Sequence, residues 1–352
     1  MKSLPYLLCA LGVSAILLAG NALAAPIVIK KAQMSEGGII MPGNGSSAGT
    51  VVMKTYIEGM SGGALKMEIH PDDSLGNGRA QLEQCQQGVI QMVHQFTNIV
   101  TPMVPEVAVT AIPFLFNNSQ EAWRVLSGPF GKELADITLK RTGMRVLAWG
   151  EGAGFRNLYG KKLIKTPDDL KGVRVRIPEN PGLMAMFQAM GAKTVTITWA
   201  EIYTGMQSGA ADALDTELYS FAWKKLDEVT PFATMTLHGY NMHPLMINEA
   251  FFQGLSDKHR RILLEGAELF RVVTDGMSRA SEIKCIQEME QKGFKMYYPT
   301  EAEREKWKKV GQQPYIDMIV KRTGQDWVDR IQQAVLQVRK EMAAEAAAAK
   351  AK

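Results

Sequence analysis

Strand-like and helix-like periodicities alternate along this chain, and that alternation restricts the folds open to it more than any other feature. Leu65, Met67 and Ile69 interleave with Lys66, Glu68 and His70, the period of two that a half-buried strand requires. Before it, residues 27–32 read as strand, and residues 50–60 carry Val52, Tyr56 and Ile57 at helical spacing up to Gly62-Gly63. Residues 79–87 read as a polar helix, 89–93 as strand, 121–142 as one helix and 144–149 as an apolar strand. The second half repeats the rhythm: strands at 173–177 and 194–197, helices at 183–190 and 200–208, and strand candidates at 213–216, 233–237 and 244–248. From Ser256 to about Gln291, Ile262, Leu269, Val273, Met277, Ala280 and Ile283 recur at helical steps, a helix long enough to lie across two domains. Thr300 and Glu303 form a capping box that opens another helix, and the Ala-rich residues 343–352 are expected to fray. Alternating strands and helices predict α/β layers. At 352 residues the chain outgrows one core, which rarely passes roughly 250–300, so two domains are expected.

Charged residues at 22% and hydrophobic ones at 46% are globular values that argue against disorder. The net charge of +4 comes from 40 basic and 36 acidic residues without a dense Lys/Arg run, which argues against a nucleic-acid partner. Lys2, an apolar run over residues 7–18 and Ala22-Leu23-Ala24 read as a signal peptide spanning 1–24 and cleaved before Ala25. The run is shorter than the about 20 residues of a spanning helix, so an exported, soluble protein is expected. Beyond it only Cys85 and Cys285 remain; they read as two buried thiols or a single disulfide. His70, His94, His238, His243 and His259 show no metal-ligand spacing, and neither metal nor cofactor is expected.

Gly45-Ser46-Ser47-Ala48-Gly49 matches the nucleophile pattern of serine hydrolases, but Pro42 and Gly43 interrupt the strand such an elbow needs. It reads as part of a polar loop over residues 35–49, capping the next helix or turning amides toward an anion. Arg156 follows an apolar strand where the chain crosses between halves. Val173, Val175 and Ile177 share one face of their strand, Arg174 and Arg176 the other. A covered guanidinium there needs an anionic partner, either an internal carboxylate or a ligand. Arg174 is expected at the surface, solvated or paired locally.

The run Asp169-Leu170-Lys171-Gly172-Val173-Arg174-Val175-Arg176-Ile177-Pro178 resembles the solute-binding subunits of TRAP transporters, the DctP-type family. Leu75-Gly76-Asn77-Gly78-Arg79, Pro113-Phe114-Leu115-Phe116, Gly191-Ala192, Glu201-Ile202-Tyr203 and Gln207-Ser208-Gly209 before Asp212 are similar to its other motifs in order and spacing. The resemblance implies a two-domain periplasmic binding protein fold with a hinged cleft. One domain would hold residues 25–150 with about 239–255, the other 151–238 with about 277–352, and the 256–291 helix would span both. It implies a non-enzymatic periplasmic protein, expected to be monomeric, that passes a small organic acid anion to the small and large integral-membrane subunits of a transporter. It puts the anchor for the ligand's carboxylate on Arg176 and a second arginine on Arg156. Thr216 stands where Asn is usual, and Trp199, before Glu201-Ile202-Tyr203, is either a cleft wall or core. Phe96 and Asn98 fall where sugar-acid binders carry an acidic residue. Its absence points to a compact acid such as the sulfonate isethionate, with a C4-dicarboxylate as the alternative. In the empty cleft two guanidiniums are expected to repel each other and favour the open form.

Overall fold

The computed structural model describes residues 25–33 and 45–350; the proposed signal peptide and most of the 35–49 loop lie outside the described residues. Among the described residues nine strands form one sheet: β1 (Ile27–Gln33), β2 (Leu65–His70), β3 (Met92–His94), β4 (Met144–Gly160), β5 (Arg174–Ile177), β6 (Lys193–Thr196), β7 (Ala213–Glu217), β8 (Phe232–Asn248) and β9 (Lys295–Tyr297). Their order is β2-β1-β3-β8-β4-β7-β5-β6, with β9 against β8. The helices lie on both faces, the α/β layering that the alternating periods predict.

β4 and β8, each 17 residues long, run antiparallel from Met144 opposite Asn248 to Gly160 opposite Phe232 and so carry the sheet through both lobes. The first lobe hangs β1, β2 and β3 on one end of this ladder, and the second hangs β5, β6 and β7 on the other. The register slips between Glu151 and Gly154 and again between Arg156 and Leu158, where the chain passes from lobe to lobe. Each slip bends and twists the ribbon locally.

The first-lobe strands alternate sides. Ile29, Met92, Leu245 and Ile247 face a core shared with the Gly45–Met60 and Asp257–Gln291 helices, while Val93 and Met246 face the opposite core. The long helix, capped by Ser256 as its spacing indicates, places Leu263 and Phe270 in the first lobe and Cys285 and Met289 in the second. Both cysteines are free and buried in different cores, and burial pushes the Cys85 thiol up to about 12.

Four expectations change. The 121–142 helix is two, Ser119–Ser127 and Pro129–Thr142, because Gly128 breaks the path and Pro129 restarts it. The strand candidates at 233–237 and 244–248 are one strand, with Gly239 and Pro244 taken into it. Gly45-Ser46-Ser47-Ala48-Gly49 is the start of a helix, not a loop. A Cβ at Gly45 would sit 2.5 Å from the Thr274 carbonyl and one at Gly49 2.7 Å from that of Phe270, so these glycines let two helices touch. Ser47 is buried within that helix, which removes the nucleophile-elbow reading. Last, the Gln325–Lys350 helix, assigned above to the second lobe, buries Ile331 and Val335 in the first lobe's core. Its tail stays helical to Lys350, with Arg124 gripping Glu345.

Candidate functional site

The carboxyl ends of β3, β5 and β7 converge on one cavity of about 480 Å³ between the lobes, the usual ligand position in α/β sheets. Its size is that of a small-molecule site. All six residues singled out from the sequence line it: Phe96 and Asn98 after β3, Arg156 on β4, Arg176 on β5, Trp199 after β6 and Thr216 on β7.

Arg174 and Arg176 share a strand face, as the alternation requires, but differ in burial: Arg174 opens the strand at the surface and Arg176 lies buried toward its carboxyl end. Arg174 lies half exposed and forms a bidentate pair with Asp212. Arg176 is 2% exposed, and its Nε and Nη2 both donate to the Ile197 carbonyl, at 2.9 and 2.8 Å. Among the described residues no carboxylate lies within ion-pair distance of it, and burial pulls its guanidinium down to about 10. Three of its five N–H donors remain for another acceptor. The Trp199 ring, 36% exposed, stands 6.0 Å from the guanidinium and forms part of the rim.

Arg156 differs. Its Nε donates to Asp215 Oδ2 (2.6 Å), Nη1 to Glu217 Oε1 (2.7 Å) and Nη2 to the Asp215 carbonyl (3.0 Å). Burial works against its charge, yet the two carboxylates outweigh that and hold the guanidinium above its ordinary value. Asp215, although buried, is kept well below the usual carboxylate range by Arg156 and His238. The expected repulsion between two bare guanidiniums is therefore offset: Arg156 still acts against the charge on Arg176, but Asp215 and Glu217 neutralise Arg156 and favour both cations. Thr216 donates to Glu217 Oε2 at 3.0 Å, and Asn241 donates to Oε1 at 2.8 Å. Sequence reasoning passed over Asp215 and Glu217. Their signal was a spacing of two in Asp215-Thr216-Glu217, one strand face aimed across the ladder at Arg156, whose register partner is Glu217.

The first-lobe wall also holds residues the sequence did not single out. Phe96 packs 4.1 Å from the His243 ring, and His243 lies 5.3 Å from His94. Asp72 and Asp73 line the opening, so with Glu217 the cavity does carry carboxylates. The lack of an acidic residue at 95–98, from which a compact acid is expected, therefore does not leave the cavity without carboxylates. Thr97 turns its hydroxyl away, onto the Met242 carbonyl, and Gln95 is buried against Gln81.

The described residues contain no cluster suited to a metal ion and no helix long and apolar enough to cross a membrane. The model of the bacterial extracellular solute-binding protein family 7 (DctP) matches residues 42–322. The 2,3-diketo-L-gulonate-binding periplasmic protein YiaO of Escherichia coli is 31% identical over 66% of this chain and 74% of its own length. The C4-dicarboxylate-binding periplasmic protein DctP of Rhodobacter capsulatus is 26% identical over 89% and 92%. A crystal structure of a TRAP periplasmic solute-binding protein from Ochrobactrum anthropi, whose C-terminus is bound in its ligand pocket, superposes with a TM-score of 0.83. It is 27% identical, covering 90% of this chain and 97% of that one. Proteins of this family bind small organic acids and work with the membrane subunits of TRAP transporters; they are periplasmic in bacteria and are not enzymes. The chain belongs to the bacterial extracellular solute-binding protein family 7, the solute-binding proteins of TRAP transporters.

Proposed function

We propose that this protein captures a small organic acid with a single negative charge, a carboxylate or a sulfonate, on Arg176. The observation that carries the reading is the buried, cavity-facing Arg176 guanidinium with a backbone carbonyl in place of a counter-ion. Such a charge costs several kcal/mol to bury alone. An incoming anion supplies charge-assisted bonds of about 1.5–3 kcal/mol each, enough for micromolar binding after ordering costs. Carboxylate and sulfonate oxygens both accept from a guanidinium, the carboxylate more strongly because it is the more basic.

The pairing of the lining charges supports a monoanion. Arg156, Arg176 and Lys224 line the cavity against Asp72, Asp73 and Glu217, and Asp215 lies directly behind Arg156. By formal count these charges cancel, but Asp215 and Glu217 both pair with Arg156, so among the described residues Arg176 is a buried guanidinium without a carboxylate partner and can match one ligand charge. A C4-dicarboxylate, the ligand class named for the Rhodobacter relative, would bring a second charge toward those carboxylates. Isethionate, a two-carbon sulfonate with a hydroxyl, carries that single charge. Thr216, Trp199, Phe96 and Asn98 contribute walls and hydrogen bonds around the anion, and Arg156 supports the site through Glu217.

In this reading a leader at residues 1–24 exports the chain to the periplasm, where it works as a monomer. Ligand bonds made to both lobes favour closure about the β4–β8 crossing, with residues 25–150 and 239–255 moving against 151–238. The closed form then docks on the small and large membrane subunits. Thermal unfolding of the purified protein against paired carboxylates and sulfonates, mono- and dianionic, tests it. A strong shift from a monoanion, lost in Arg176→Met, is the expected result. Equal shifts in the two proteins refute the assignment.

A further inference from the structure

One residue belongs to both lobes. Ile112, Leu115 and Phe116 pack in the first-lobe core, yet Phe114, between them, buries its ring in the second-lobe core with Leu158, Phe187 and Trp307. The peptide before it is clamped on both edges. The Pro113 carbonyl accepts from Gln312 Nε2 at 2.6 Å, and the Phe114 N–H donates to the His238 carbonyl at 3.0 Å. His238 is fixed to the second lobe in turn, its Nε2 lying 3.4 Å from Asp215 Oδ2. The peptide after it is held by the first lobe. The Leu115 N–H donates back to the Ile112 carbonyl at 3.3 Å, and the Leu115 carbonyl accepts at 2.9 Å from Arg339 on the last helix, which packs in the first-lobe core. The torsions of Phe114 therefore form the joint between two clamped peptides.

That joint is strained. Phe114 has a φ of 56°, and Leu237, beside His238, has a φ of 50° with its N–H on Asn157 Oδ1. A bulky side chain in the left-handed region is an outlier that persists only where its surroundings force it. Among the described residues the other non-glycine cases are Asp72, Asp73 and Lys225, so the two apolar ones meet at one place. There β8 bulges between Thr234 and Gly239, opposite the slip from Arg156 to Leu158. The socket leaves room to turn. Met186, Met190 and Thr236 border a void beside the ring that is too small for water, and methionine side chains repack readily. The Glu301–Thr323 helix supplies Trp307 to the socket and Ile316 and Ile319 to the first-lobe core, so it crosses between the lobes alongside. Pro314 lies between these anchors and deprives the Val310 carbonyl of its helical bond, a place for that helix to bend.

We propose that Phe114 is the pivot on which the lobes move, and that its strained backbone sets the balance between their open and closed arrangements. The ring and the preceding peptide travel with the second lobe and the following peptide with the first. Any movement between the lobes must then turn the torsions of this one residue. The ring, seated in its socket, holds φ positive against its cost, and the other arrangement of the lobes relieves that cost. Apparent affinity scales with the fraction of molecules in the competent form, so a residue that does not line the cavity tunes binding. The inference goes beyond the Arg176 reading and does not depend on it.

Double electron–electron resonance between nitroxides on Gln87→Cys in the first lobe and Lys193→Cys in the second, both exposed positions, reads the spacing of the lobes; the two native thiols are buried. No ligand enters the experiment, so its outcome is separate from that of the Arg176 reading. Phe114→Leu keeps the socket filled, and its smaller side chain should widen the distance distribution. Phe114→Ala removes the ring that holds φ positive and should populate a second spacing. Phe114→Gly removes the ring and the cost of a positive φ together, so it should hold the parent's spacing at least about fivefold more than Phe114→Ala does. Phe116→Leu, in the same segment but buried in the first-lobe core, is the control for lost packing and should leave the distribution as in the parent. Unchanged distributions in Phe114→Leu and Phe114→Ala, equal populations in Phe114→Ala and Phe114→Gly, or equal broadening in Phe116→Leu each overturn the proposal. If Phe114→Ala and Phe114→Gly do not fold, Phe114→Leu against Phe116→Leu decides.

Discussion

Replacing Arg176 by Met should push binding and stability in opposite directions. The guanidinium is 2% exposed and drawn down to about 10 from an ordinary 12.5, chiefly by burial. At about 1.4 kcal/mol per unit, holding it charged in the empty protein costs about 3 kcal/mol. Its two bonds to the Ile197 carbonyl return about 1–2 kcal/mol, and Met fills much of the same volume. The empty variant should therefore be more stable than the parent by about 1–2 kcal/mol, a few degrees in melting temperature. Ligand binding should weaken by about 3–5 kcal/mol, two to four decades. The assay is urea unfolding of both proteins without ligand, then thermal unfolding with a bound acid at about a hundredfold its dissociation constant. That excess stabilises the parent by about 2.7 kcal/mol. A variant destabilised by 2 kcal/mol or more that keeps its ligand shift would show that Arg176 holds the fold rather than the cargo.

Other sites give sharper contrasts. Arg174→Ala, breaking a half-exposed pair with Asp212, should cost under about 1 kcal/mol in urea and leave the affinity of any bound acid unchanged. Asp215→Asn should cost about 3–5 kcal/mol, since Arg156 loses its main buried partner. The folded pKa of Asp215 is depressed, so its contribution is full above the unfolded carboxylate value near 4 and fades as pH falls further; acid unfolding of the variant should lose that slope. Gly49→Ala would help an open helix by about 1 kcal/mol but here drives a methyl to 2.7 Å from the Phe270 carbonyl, so the urea midpoint should fall. Glu151, in the β4 slip, accepts from Trp123 and Tyr240, and burial raises its carboxyl to about 7. A raised acid is favoured protonated in the fold, so stability should decline as pH climbs from about 4.5 through 7; Glu151→Gln should remove about 2–3 kcal/mol of that decline in a series of melts.

Much of this was legible because it is local. The Thr300–Glu303 box, the Ser256 cap and the stripe behind it, and the shared strand face of Arg174 and Arg176 each depend on a few neighbouring residues, and the structure has them in place. What escaped depends on contacts across the chain. Gly239 and Pro244 look like punctuation until β4 runs beside them and makes one strand of two candidates. Whether Arg156 met an internal carboxylate or a ligand stayed open, because its neutralising carboxylates lie 59 and 61 positions away. No periodicity links His94 to His243; only the sheet order, with β3 beside β8, brings them together. Gly45-Ser46-Ser47-Ala48-Gly49 misled because small residues serve a tight turn and a close helix contact equally well, and the partner helix begins more than 200 residues later.

The chain builds the first lobe, leaves it along β4, builds the second, returns along β8, and finally lays its last helix back on the first. Neither lobe is a continuous stretch of sequence, so cutting the gene at the crossing yields two fragments that each lack strands and core. Synthesis cannot finish one lobe before the other has begun, and the first lobe stays incomplete until the last helix emerges. The protein is thus obliged to assemble as one unit after the whole chain is available, a sequence of events that suits a polypeptide threaded unfolded through a membrane before it folds.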